Sequence, residues 1–286
     1  VSPLWRNQIQ VFLAPGEVNV VGLSAGIKPM QLFKQTRTWT PAAGPAQWQA
    51  PLQVLEELIG EIRQDTGMAA IKRGSECTFT LSNHFVRYGI VAPQSSLADP
   101  DELLAYTNFQ MRETYGERVG DWALSLSLWD PCHGALCAAV PLNLLSDLEA
   151  FTLRHDIRLR QTEPYLAAAL DHWSSELPDK RLWFVLIEPG RFCLVLLMND
   201  GWRCVRNQRI VQPLEEELLS ALEQEAIISG QRESIEQVYV YAPAYMDWRL
   251  ADDGGWQFIH LPSGKQSAPA CFPQAVETDH SGRSHA

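Results

Sequence analysis

The sequence predicts an α/β protein of two similar lobes, each a mixed sheet flanked by helices, with a strand-helix-strand subdomain inserted in the first. Three observations lead there. A motif of apolar strand, Pro-Gly turn and apolar strand occurs twice, around Pro15-Gly16 in residues 11–21 and around Pro189-Gly190 in residues 184–196. Such long-range repetition implies two related halves whose turns face one cleft. Strand-like and helix-like runs alternate along the rest of the chain. Its 286 residues, 46% hydrophobic and 20% charged, suffice for one large domain or two lobes.

The elements follow in order. The first hairpin is joined by a third strand over 31–39 and a Pro- and Ala-rich connector over 40–51. Pro51 suits a first helical turn, Leu52, Leu55, Leu58, Ile59 and Ile62 recur at helical spacing, and Gly67 is read as the stop. Residues 77–92 alternate as a strand region. Asp99-Pro100-Asp101-Glu102 is a helix start with a cap, a first-turn proline and a capping-box glutamate; the helix runs to Tyr115 and Gly116 ends it. Strands at 122–128 and 134–140 precede a helix opened by Pro141. A short strand at 156–160 and a helix opened by Pro164 complete the first lobe. The polar stretch 176–180 is the boundary candidate. Beyond it lie the second hairpin, a tight Asn199-Asp200-Gly201 turn, and a helix after Pro213 whose Glu215, Glu216 and Glu217 suit the positive end of its dipole. Strands at 238–241 and 256–261 close the pattern. The expected division is a first lobe over 1–176 with an insert at about 77–128, a shortened second lobe over 177–262 and a flexible tail over 263–286.

Bulk chemistry narrows the partners. A net charge of -11 argues against a nucleic-acid backbone. Six cysteines outside any small loop-rich frame, with Cys193 inside an apolar run, point to a reducing compartment. No run has the length of a membrane-spanning helix, and residues 1–10 lack a signal-peptide pattern, so a cytoplasmic protein is expected.

If the paired turns cradle phosphate, glycine lets the backbone approach and an acidic residue before the turn holds the metal. That acidic position is Ala14 in one copy and Glu188 in the other. Gly16, Glu17, Glu188 and Gly190 are therefore the residues that would meet a nucleotide, and no catalytic residue is assigned. Cys132-His133 with Cys137 lacks a fourth ligand and reads as a turn with incidental thiols, so no metal site is assigned. His84, near Arg87, reads as a half-buried, hydrogen-bonded histidine, and Ser82-Asn83 as a turn or bulge. Neither a Gly-x-Ser-x-Gly elbow nor a Gly-x-x-x-x-Gly-Lys loop occurs. Of ten Trp residues, most read as core rims, whereas Trp122 and Trp129, within or just beyond the insert, rank highest as partner anchors.

The order of elements over about residues 9–250 resembles the actin-like (ribonuclease H-like) fold of pilus and secretion assembly proteins: PilM-type proteins of type IV pili, MshI proteins of mannose-sensitive (MSHA) pili and the cytoplasmic part of GspL-type secretion components. Leu136-Cys137-Ala138-Ala139-Val140-Pro141 is similar to the family's apolar strand leading into a helix. Asp156-Ile157-Arg158-Leu159, Gln161-Thr162-Glu163-Pro164 and Gly201-Trp202-Arg203-Cys204-Val205-Arg206-Asn207 resemble the following strand, helix start and hairpin. The resemblance implies a scaffold that binds the short cytoplasmic segment of a PilN-like inner-membrane protein through the inserted subdomain, and that can self-associate. Nucleotide-binding members carry an acidic residue before each turn and a glycine pair touching adenosine; here Ala14 and Ala242-Pro243-Ala244 stand in those places. The resemblance therefore implies a degenerate site without a cofactor, the alternative being an actin-like ATPase or sugar-kinase relative binding ATP and magnesium between the lobes.

Overall fold

The computed structural model describes residues 6–41, 47–65, 71–97, 99–178, 181–199, 201–230, 233, 236–245 and 247–262. Gly67, Asp200, Cys271, the end of the 176–180 boundary and the 263–286 tail lie outside the described residues.

The first hairpin comprises β1 (Gln8–Ala14) and β2 (Glu17–Leu23), with β3 (Gln31–Thr38) antiparallel to β2. Apolar side chains on both faces of β1 mark a central strand. It pairs in parallel with β4 (Glu76–Leu81), which in turn pairs in parallel with β8 (Arg158–Pro164). The first sheet therefore has the order β3-β2-β1-β4-β8. Helix α1 (Gln49–Asp65) covers it with Leu55, Leu58, Ile59 and Ile62, one buried stripe at helical spacing. Helices α3 (Leu142–Arg154) and α4 (Tyr165–Trp173) start directly after Pro141 and Pro164.

The second lobe repeats the plan. Strands β9 (Arg181–Glu188) and β10 (Arg191–Met198) form the second hairpin, continued by β11 (Gly201–Arg209). Strands β12 (Glu236–Tyr241) and β13 (Trp256–His260) extend the sheet in parallel, giving β11-β10-β9-β12-β13. Helix α5 (Leu214–Ser229) lies over its outer face, where Leu218 and Leu222 join one core with Trp183, Val185 and Leu194. The opposite face contributes Phe184, Leu186, Cys193 and Val195 to a core shared with the first lobe. The alternation along β9 thus divides its side chains between two cores.

The insert is a third sheet, β5-β7-β6, made of β5 (Arg87–Val91), β6 (Trp122–Leu126) and β7 (Ala135–Pro141) and covered by α2 (Pro100–Tyr115). Asp99 caps α2 by accepting from the backbone N–H of Asp101 and Glu102, with Pro100 in the first turn and Gly116 at the end. The expected strand region 77–92 divides in two at Ser82–Val86. Its first half, β4, belongs to the first lobe's sheet, so the sheet of the insert spans 87–141 rather than 77–128. The physical reason is burial: Cys77, Phe79 and Leu81 are fully buried beside β1.

Candidate functional site

The two Pro-Gly turns converge. A cavity of about 260 Å³ lies between the lobes, bounded by Ala14, Pro15, Gly16 and Glu17 from one turn and Glu188 and Pro189 from the other. Phe12, Trp39, Pro41, Tyr165, Ile187, Pro243 and Ala244 complete an apolar wall, and Thr38 and His84 add polar groups. Neither Lys nor Arg is among these lining residues. Gly16 is fitted to its place: its carbonyl accepts from the Trp39 N–H at 2.9 Å, and a Cβ there would sit 2.8 Å from the Trp39 carbonyl oxygen. Gly190 has φ 74° and turns the second hairpin, its carbonyl accepting from the Ile210 N–H at 2.9 Å. It is exposed and lies outside the cavity wall.

The Glu188 carboxylate, 4% exposed, is held by the first lobe. Ser82 Oγ donates to Oε1 at 2.5 Å, while the Asn83 N–H at 3.0 Å and Asn83 Nδ2 at 2.6 Å donate to Oε2. Asn83 is itself fixed, its Oδ1 accepting from Tyr88 Oη at 2.6 Å and from the Leu166 N–H at 3.3 Å. Asn207 closes the ring from the second lobe, its Nδ2 donating to the carbonyls of Asn83 and Val86 at 2.8 and 3.0 Å. Burial drives the Glu188 carboxyl above the ordinary carboxylate range despite these donors and the Arg191 charge. The residue read as a one-sided metal ligand is thus also an interlobe latch, with both carboxylate oxygens engaged.

Glu17 sits in the cavity wall without such donors. Burial first, and the Glu188 charge second, push its carboxyl up to about 7, with Lys34 opposing. The folded chain therefore keeps a proton that the unfolded chain releases near 4.5. The associated stability is full below that pH and is lost as pH rises through about 7. Glu17→Gln is expected to flatten this slope and, above pH 8, to raise stability by at most about 3 kcal/mol, the equivalent of the shift. Urea midpoints of both proteins at pH 5 and pH 8 check it; parallel pH profiles would refute the assignment.

His84 reaches the second turn from the first lobe, its Nε2–H donating to the Pro189 carbonyl at 3.0 Å. Burial, followed by the charges of Arg191 and Arg87, drives it down to about 4, so it is neutral at pH 7. The reading of His84 as half-buried and hydrogen-bonded describes this place. At the Cys132-His133 turn, Asp130 accepts from both backbone N–H groups at 2.7 and 3.0 Å, and its carboxylate pairs with His133 Nδ1 at 3.2 Å.

Trp122 and Trp129 are half-buried on the core of the insert, beside Met111 and Cys137. Trp122 stacks edge-on against Tyr115 at 5.3 Å. Between them Leu128 is 94% exposed. Ser82, Asn83, Tyr88 and Asn207 are functional residues that sequence reasoning missed. The available signal was a Ser-Asn pair directly after the apolar positions Cys77, Phe79 and Leu81, a place where polar side chains need partners when buried.

No protein-family model and no characterised protein sequence matches the chain. Solved structures match it in shape. The PilM–PilN type IV pilus biogenesis complex superposes with a TM-score of 0.63 at 15% identity, covering 85% of this chain and 83% of the other. The cytoplasmic domain of EpsL, an inner-membrane component of the type II secretion system of Vibrio cholerae, gives 0.54 at 11% identity, covering 90% of each chain. A Bacteroides thetaiotaomicron protein with an actin-like ATPase fold gives 0.51 at 6% identity, covering 85% and 84%. Two repeated hairpin sheets meeting at paired turns, together with these superpositions, establish that the chain has the actin-like fold of the pilus and secretion assembly proteins it resembles.

Proposed function

We propose that this chain is a non-catalytic, cytoplasmic scaffold of a type IV pilus, MSHA-type pilus or type II secretion assembly complex. Its partner is the short cytoplasmic segment of a PilN-like inner-membrane protein, and it works by binding without bond chemistry. The observation that supports this most is the interlobe site. Where a nucleotide-binding relative places acidic residues and adenosine-contacting glycines, this chain has Ala14, a Glu188 already engaged by Ser82 and Asn83, and Pro243-Ala244 in the wall. The likeness of the fold to the PilM–PilN complex favours the choice of partner.

The partner surface is assigned to the insert. Strand β6 is an edge of the β5-β7-β6 sheet, which lets an extended segment add to it; Trp122 opens the strand, and exposed Leu128 and Trp129 lie just past its end. Co-expression with a PilN-type cytoplasmic segment is expected to give a stable complex, and Leu128→Asp to weaken it by about tenfold or more, as for loss of an apolar interface anchor. Recovery of an unrelated partner, and of no inner-membrane assembly protein, would end the reading. Titration with ATP and magnesium is expected to show no saturable binding that depends on Glu188. Saturable binding that Glu188→Ala removes would favour the ATPase alternative instead.

A further inference from the structure

Three arginines gather at the seam between the second lobe and the insert. Arg191 opens β10 and Arg209 ends β11, and the two stand directly opposite in the antiparallel pair. Opposed residues on neighbouring strands share a face with their Cβ atoms about 5 Å apart, and like charges there repel. On the same face Asn207 stands opposite Cys193 and bonds to the Asn83 and Val86 carbonyls, so this face looks toward the start of β5.

Arg87, the first residue of β5, donates to that same Val86 carbonyl at 2.9 Å. Asn207 Oδ1 in turn accepts from Arg191 at 2.7 Å. A continuous chain of hydrogen bonds, Arg87 to Val86 to Asn207 to Arg191, therefore links two of the guanidinium groups through the Asn207 amide, with the third across the strand pair.

No carboxylate among the described residues forms an ion pair with the cluster, whereas Arg37, Arg154, Arg181 and Arg206 each hold a carboxylate. Glu188 acts on Arg191 through its charge, but its oxygens are bonded to Ser82 and Asn83. Arg191 Nε is buried without a hydrogen-bond partner. A chain of net charge -11 thus concentrates three cations, one with an unused buried N–H, at a single seam.

We propose that Arg87, Arg191 and Arg209 form an oxyanion site that takes a phosphate group at this seam. Guanidinium forks fit the oxygens of a tetrahedral phosphate, and a dianion answers a cluster of three cations better than one carboxylate does. The site adjoins the interlobe cavity through His84, but the cavity wall contains none of the three arginines. It is independent of the assembly reading, because it concerns a small anion rather than a protein partner. Bound phosphate would tie β5 of the insert to β10 and β11 of the second lobe. Arg87 and Arg191 are half-buried, so the site suits a free phosphate or a phosphorylated small molecule rather than a bilayer surface.

The test is calorimetric titration of the intact chain with inorganic phosphate at fixed ionic strength. The expected result is saturable binding of one phosphate, weakened about tenfold or more by Arg209→Gln, the exposed member, and lost in Arg191→Gln. Phosphate should also shift the ring resonances of His84, which faces the cluster, in the parent and not in Arg191→Gln. Unchanged affinity in both variants, or no saturation at millimolar phosphate, would overturn the site. Co-sedimentation with phosphatidylglycerol vesicles that depends on these arginines, in the absence of binding to free phosphate, would overturn the small-anion assignment.

Discussion

Glu188→Ala is expected to cost about 3–6 kcal/mol of stability, enough to leave a protein of ordinary margin partly open. The figure comes from the three donors the carboxylate now satisfies. Ser82 Oγ, Asn83 Nδ2 and the Asn83 N–H are buried with it, and removing the acceptor leaves each with its desolvation cost, about 1–3 kcal/mol apiece, partly offset by the relief of a strained buried acid. Glu188→Gln keeps one carbonyl acceptor and the shape of the side chain, and Ser82 Oγ can turn to accept from the new amide. It is expected to cost only about 1–2 kcal/mol, as for loss of charge assistance in retained hydrogen bonds. Because folding raises the Glu188 pKa, its stability contribution is greatest below the ordinary carboxylate range and falls as pH rises above it. The alanine variant should therefore lose part of the pH slope as well as stability. Denaturant midpoints read the cost, and amide exchange at Asn83 and Glu188 reads where opening begins. A loss in Glu188→Ala below about 1 kcal/mol, with protected amides at both residues, would show that other contacts hold the lobes together.

The latch also explains which parts of the site were legible in advance. Ala14 and Glu188 stood out because each precedes a repeated turn, so position within a duplicated motif marked them. Ser82, Asn83 and Asn207 lacked such a frame. Asn83 meets Glu188 across 105 residues and Asn207 meets Asn83 across 124, distances over which spacing carries no information. Ser and Asn also favour turns for local reasons, which hid their tertiary role. The arginines were individually visible, but the alignment of Arg191 with Arg209 exists only once the β10–β11 register is set.

The same division applies to the fold. Helix α2 was readable to its ends because its signals are local: the Asp99 cap, Pro100 and Gly116 act within one turn. The paired hairpins were readable because glycine and proline punctuate apolar runs. Strand β8 was placed too early. Asp156 adopts φ 55° as α3 ends, and sheet pairing begins only at Arg158, where the N–H meets the Ser75 carbonyl. Its largely polar sequence has no strong alternation, so the partner strand β4 decides its bounds. The insert was misplaced for a related reason. Residues 77–92 read as one strand region, and only the parallel pairing of β4 with β1 separates the first sheet from the third.

Gly134→Ala is expected to disable the insert while sparing both lobes. Gly134 closes the β6–β7 turn with φ 77°, bridging to Asp130. An added Cβ would sit 2.2 Å from the Val91 carbonyl oxygen and 3.2 Å from the Pro93 nitrogen, both backbone atoms that cannot swing aside. The positive φ and this clash together should cost about 3 kcal/mol or more. The strain falls where β5 pairs with β7, at Val91 opposite Ala135, and so on the small core of Val91, Met111, Val119, Cys137 and Ala139. That core contains few side chains and supports Trp122 and Trp129, whereas the interlobe core draws on both large sheets. Local loss of the insert is therefore cheaper than global unfolding. The expected signature is early exchange of amides in α2 and β6, altered tryptophan emission, and loss of the PilN-type segment, with the amides of β1, β9 and β10 still protected. Gly120→Ala is the matched control, since its Cβ would meet no atom within 4 Å and it should stay within about 0.5 kcal/mol of the parent. If Gly134→Ala opened the insert yet bound the segment with undiminished affinity, the partner surface would have to lie on the lobes, and Trp122 and Trp129 would be braces of the small core alone.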